Sequence, residues 1–111
     1  MKKRFAANRI CRVSDCTVLS NQVVEVDETS RCVVCVFALE GEIRHTEWLG
    51  GVILLSNHLP VRNLHESFAA FLKRENELSE ATSSCSLQAY HVTSFNVHEM
   101  EFTEGSRIIL L

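Results

Sequence analysis

The sequence predicts a mainly β (α+β) fold: a β-sandwich or half-open barrel of about six or seven strands with one covering helix. Three observations carry this. Short apolar runs with a period of two recur along the chain, separated by polar turn residues. Only one stretch, beginning at Asn63, repeats its apolar residues at helical spacing. At 111 residues and 46% hydrophobic, the chain has the size of a single domain, 1–111, and enough apolar surface to fold without metal or disulfides.

Phe5 to Val13 reads as a first strand, although Ile10 and Arg12 break a clean alternation. Ser14-Asp15 signals a turn, and Thr17 to Leu19 a short strand or loop ending at Ser20-Asn21. The clearest strand is Val23-Val24-Glu25-Val26-Asp27, where apolar Val24 and Val26 alternate with acidic Glu25 and Asp27. Polar Glu28 to Arg31 fits a hairpin connection. Cys32 to Leu39 is β-branched and almost continuously apolar, which predicts a strand buried on both faces. Glu40-Gly41-Glu42 is the next turn.

Glu47 to Leu55 reads as a further strand interrupted by Gly50-Gly51, a pair that marks a bulge or a close backbone approach. Ser56 to Pro60 connects it to the helix. Asn63 and Glu66 have the spacing of a capping pair, and Leu64, Phe68, Phe71, Leu72 and Leu78 form one apolar stripe. Lys73, Arg74, Glu75 and Glu77 read as its solvated face. Ala81 to Ser84 is a polar linker. Leu87 to Val97 is another strand, with Ala89, His91, Thr93 and Phe95 on one side. Met100 and Phe102 suggest a short strand around Glu101, and Gly105 turns the chain into a terminal strand, Arg107 to Leu111.

The net charge is −3, from 11 basic and 14 acidic residues, and the basic ones are scattered apart from Lys2-Lys3-Arg4. That tripeptide reads as a solvated terminus, and the absence of a basic stripe points away from nucleic acid. Asn8 and Arg9 interrupt any signal-peptide core, and Val52 to Leu55 is far shorter than the ~20 residues a membrane-spanning helix needs. These features imply a cytoplasmic chain with no membrane partner. The five cysteines are odd in number and irregular in spacing, unlike a secreted disulfide framework.

No catalytic constellation emerges. Cys32-Val-Val-Cys35 lacks the second pair a thiolate zinc site requires, and residues three apart on a strand point to opposite faces. His45, His58, His65, His91 and His98 never fall at metal-ligand spacing and read as surface histidines. There is no nucleophile elbow, and Gly50-Gly51 precedes aliphatic residues instead of a phosphate-binding helix. Glu25 with Asp27, and Glu99 with Glu101, read as solvated faces. The sequence thus implies no cofactor, no metal and no catalytic residue.

The segments Ala7-Asn8-Arg9-Ile10, Val23 to Asp27 and Thr46 to Leu55 resemble the N-terminal β segment of the amidohydrolase superfamily of metal-dependent hydrolases. Tyr90 to Asn96 and Ile108 to Leu111 resemble the later return of that family's chain to the same small domain. The resemblance implies a composite β-sandwich standing without the catalytic barrel. Where the family carries a metal-binding His-x-His, this chain reads Ser56-Asn57-His58-Leu59-Pro60, so no functional residue carries over.

Two functions are then open. The first is a non-catalytic sandwich that acts by self-association, as a homodimer, or by binding another protein through Trp48, Leu49 and the terminal strand with Ile108 and Leu110. The second is a small-ligand module or weak hydrolase with a pocket between helix and sheet near His58, His65 and Trp48.

Overall fold

A computed structural model describes residues 2–38, 46–81 and 87–111. The expected turn at Glu40-Gly41-Glu42, His45, Cys85 and the linker residues Thr82 to Ser84 lie outside them. Among the described residues there are nine strands and one helix: β1 (Lys2–Ala6), β2 (Arg9–Arg12), β3 (Thr17–Ser20), β4 (Gln22–Asp27), β5 (Val33–Ala38), β6 (Thr46–Trp48), β7 (Val52–Ser56), α1 (Phe68–Ala81), β8 (Gln88–Val92) and β9 (Ile108–Leu110). The strands form a four-stranded sheet, β5-β4-β1-β6, and a five-stranded sheet, β3-β2-β7-β8-β9. The mainly β, one-helix architecture expected from the sequence is therefore present, with more and shorter strands. No helix of the described residues is long and apolar enough to cross a membrane.

The extra strands come from two corners. The segment read as one strand from Phe5 to Val13 is β1 in the first sheet and β2 in the second. Likewise, the segment from Glu47 to Leu55 divides into β6 and β7. Each pair runs parallel to the other across both sheets, β1 beside β6 and β2 beside β7. Strands that switch sheets need a bend, and here the bends coincide. Gly50 and Gly51 have φ of 70° and 60°, a left-handed conformation that glycine adopts without steric cost. The Asn8 side-chain oxygen accepts the Gly51 N–H at 2.9 Å, and the Arg9 N–H reaches the Gly51 carbonyl at 3.2 Å. A side chain at Gly51 would meet the Val92 carbonyl oxygen at 3.0 Å.

The strand β7 lies at the centre of three layers and is buried along its length. Ile53 and Leu55 pack with Phe5, Ile10, Val24, Val26 and Ala89 between the sheets. Val52 and Leu54, on the opposite face of the pleat, pack with Cys11, Val13, Tyr90, Val92 and the helix residues Phe68, Phe71 and Leu72. Alternation along one strand thus feeds two cores.

Several local expectations are corrected. Lys2, Lys3 and Arg4 are largely solvated as expected, but they are not a loose end: they belong to β1, in register with Asp27, Val26 and Glu25. Arg4 donates to Glu25 at 2.9 Å and Lys2 approaches it at 4.0 Å, so Glu25 is a nearly buried, neutralised group and not a solvated one. The Asp27 carboxylate accepts the Thr29 and Ser30 N–H groups, which holds its carboxyl below the usual range. Cys32 to Ala38 is not buried on both faces, because β5 is an edge strand with Val34 and Cys35 exposed.

The helix also starts later than Asn63. Asn63 and Glu66 do exchange hydrogen bonds, Asn63 N–H to the Glu66 carboxylate at 3.1 Å and Glu66 N–H to the Asn63 carbonyl at 3.2 Å. His65, at φ 61°, ends that turn, and Ser67 becomes the cap, accepting the Ala70 N–H at 3.2 Å. Leu64 therefore leaves the apolar stripe and is exposed, as is Leu78. The strand expected over Leu87 to Val97 stops at Val92. Around Met100 only a single bridge, Asn96 to Glu101, forms. The 93–107 segment is held by its own side chains instead: Thr103 and Ser106 hydroxyls both donate to the Ser94 carbonyl, at 2.6 and 3.1 Å.

Candidate interaction site

The residues singled out from the sequence fall in different places. Ile108 and Leu110 lie on β9, at the open edge of the five-stranded sheet. Trp48 is on β6, the edge of the other sheet, and is 55% exposed, while Leu49 packs against the core between the sheets. His65 is exposed and lines a groove with Leu64, Glu101 and Phe102. His58 is taken up by a buried polar cluster at the end of β7. Of the positions expected to share a pocket, His65 thus lines the groove with Leu64, Glu101 and Phe102, His58 joins the polar cluster, and Trp48 lies on the edge strand of the other sheet.

That polar cluster went unread in the sequence. Glu75, expected on a solvated helix face, is 1% exposed. One carboxylate oxygen meets His58 Nε2 at 2.5 Å; the other accepts the Val61 N–H at 3.0 Å and lies 3.3 Å from Arg74. His58 Nδ1 lies 2.9 Å from the Asn57 side-chain oxygen, and Ser56 Oγ accepts the His58 N–H at 3.2 Å. Arg74 also bonds the Val61 carbonyl and pairs with Glu66 at 2.8 Å. This pairing lowers the Glu66 carboxyl and raises the Arg74 guanidinium. A buried carboxylate is tolerated only when it is paired and hydrogen-bonded, and each of these partners meets that need.

Ser56, His58 and Glu75 are a hydroxyl, an imidazole and a carboxylate in sequence; Ser56 is 1% exposed, and its oxygen accepts the His58 N–H at 3.2 Å and lies 3.4 Å from His58 Nδ1, while Nε2 of the same ring meets Glu75. A nucleophile must reach its substrate; with Ser56 at 1% exposure, what the arrangement does in this structure is clasp the loop to the helix. Its mechanical effect is to fasten both the N–H and the C=O of Val61 to the helix.

Val61 in turn forms one bank of a shallow groove of about 420 Å³, with Leu59 to Arg62 on one side and Ser106 to Ile109 on the other. Leu59, Val61 and Ile109 are 63%, 56% and 49% exposed. Among the described residues no strand pairs with the edge beside them. In the antiparallel β8–β9 ladder, Thr93 N–H bonds the Arg107 carbonyl and Leu111 N–H bonds the Ala89 carbonyl. Alternation then turns the N–H and C=O of Ile108 and Leu110 outward. The groove therefore combines free main-chain groups, aliphatic side chains and the cations Arg62 and Arg107, with no acid among its lining residues. Arg62 is braced by the Thr103 carbonyl at 3.0 Å and lies 4.8 Å from the Phe102 ring centre.

Cys11, Cys16, Cys32 and Cys35 are free, and burial pushes the Cys11 thiol up to about 12, with Cys16 adding to the rise. Among the described residues no group of three or more His, Cys, Asp or Glu side chains is placed to hold a metal ion. The chain matches no family model, no curated protein and no solved structure.

Proposed function

We propose that this domain works by association, accepting an extended strand of a partner along the open edge of β9. The observation that carries the reading is the main chain at Ile108 and Leu110, unpaired among the described residues, beside the exposed Leu59 and Val61. An unprotected edge is a template for strand addition, in which the main chain supplies affinity and neighbouring side chains supply selectivity. The edge has no proline and no inward charge to blunt it, and the clasp on Val61 holds the flanking bank rigid before a partner arrives. The resemblance to the amidohydrolase composite domain supports the same reading, because such a sandwich packs against a second body.

Amide exchange followed by NMR tests this on the full chain. The Ile108 and Leu110 amides are expected to exchange quickly in the free protein and to become protected when an extended peptide binds. Leu110→Pro removes one outward N–H without removing a ladder bond, and should abolish that protection while thermal unfolding stays cooperative. Binding that protects other amides and leaves these two unchanged would sink the reading.

A further inference from the structure

We infer that the segment accepted by the β9 groove belongs to another protein and alternates aliphatic with acidic side chains; this rests on the strand-addition reading above. The argument is charge complementarity. The chain as a whole carries −3, yet the groove is lined by Arg62 and Arg107 and by no acidic residue. Elsewhere the basic side chains Lys2, Lys3, Arg4, Arg12 and Arg74 are paired with Glu or Asp. Arg62 and Arg107, like Arg9, Arg31 and Lys73, form no such pair among the described residues, and of these five only Arg62 and Arg107 line the groove.

Geometry then divides the work along an incoming strand. Its main chain pairs with Ile108 and Leu110. Side chains at every second position face one way, so one set can cover Leu59 and Val61 while the other is free to meet Arg62 and Arg107, which line the same groove. An acid beside Arg62 or Arg107 gains a charge-assisted hydrogen bond that a lysine there would replace with repulsion.

A second copy of this chain fits less well. Two copies related by a two-fold axis through β9 present the same patch to each other. That would gather two Arg62 and two Arg107 side chains at one interface with no carboxylate from either groove lining to offset them. Like charges placed opposite each other disfavour the pairing.

The probes are two short fluorescein-labelled peptides, one alternating valine with glutamate and the other valine with lysine, titrated against the full chain by anisotropy. The glutamate peptide is expected to bind at least about tenfold tighter, with the gap shrinking as salt screens the contact. Arg107→Glu, at an exposed position, should reverse the preference, whereas Lys73→Glu on the helix should not. Equal binding of the two peptides, abolished for both by Leu110→Pro, would overturn the acidic ligand and leave strand addition standing. A dimer by light scattering that Leu110→Pro converts to monomer would likewise overturn it in favour of self-association. Failure of both peptides to bind a monomeric chain would overturn both readings.

Discussion

The two cores on either face of β7 are built by different means. The one between the sheets is aliphatic apart from Phe5 and is closed by strand pairing on both sides. The one beneath the helix is aromatic: Phe68, Phe71, Phe95 and Phe102 meet with ring centres 4.8 to 6.1 Å apart, mostly edge to face. Its outer wall is not a sheet but a helix and the irregular 93–107 segment. Backbone ladders fix the register of the first core. The second has no ladder on its outer side, so ring geometry, the Glu75 clasp and side-chain-to-carbonyl bonds must hold it. Asn76 adds to them, donating from the helix to the Val13 and Ser14 carbonyls at 3.0 and 2.7 Å.

Substitutions can break this contrast, beginning with the greatest effect. Phe71→Ala empties a fully buried ring site and should cost about 3–5 kcal/mol in urea unfolding. It should also release the 93–107 amides to exchange ahead of those in β4. Simultaneous release of both would show that the cores are not separable. Glu75→Leu leaves the Val61 N–H and His58 without their acceptor, and a loss of about 2–3 kcal/mol is expected; an unchanged midpoint would mean that the clasp is neutral. Gly51→Ala forces a side chain into the left-handed region against the Val92 carbonyl and should cost about 1–2 kcal/mol. Ile53→Val, in the ladder-closed core, should cost only about 0.5–1.5 kcal/mol and leave the aromatic side untouched.

The mildest probe is pH. Burial lowers the His91 imidazole below its ordinary 6.5, opposed by its bond to the Gly50 carbonyl. A depressed folded value means stability that is present above 6.5 and lost as pH falls through the folded value. His91→Gln should flatten that part of the stability–pH curve. A slope of the opposite sign would contradict the burial seen here.

The same contrast explains what could be read from the chain beforehand. Strand β4 follows from alternation, and β9 and the Glu28 to Arg31 hairpin from their turn residues, which are local signals; for β3 these signals left a strand or a loop open. Gly50-Gly51 was legible as a close backbone approach, which the Val92 carbonyl bears out; what escaped is that the chain changes sheets there and at Ala7-Asn8, because hydrophobicity does not record which sheet a residue enters. The Asn63–Glu66 pair was a true signal of a turn and a false one for the helix, since His65 in a left-handed conformation ends it before Ser67 begins α1. Glu75 escaped for another reason. A carboxylate looks solvated until its partners are known, and those partners, His58 and Val61, come from a loop 17 and 14 residues away. Of the proposed groove, the terminal strand with Ile108 and Leu110 was legible, but Leu59, Val61 and the two arginines were not, because only the folded chain puts them beside it.

The paired corners have a kinetic consequence. The contact of Asn8 with Gly51 spans 43 residues, and the parallel ladders on either side of it join the same distant stretches. Closing so long a loop costs conformational entropy before many contacts repay it. Both sheets depend on that one closure, because the same two stretches of backbone pass through each. The sheets should therefore appear together, late and in a single phase, with the encounter of Asn8 and Gly51 as the slow event.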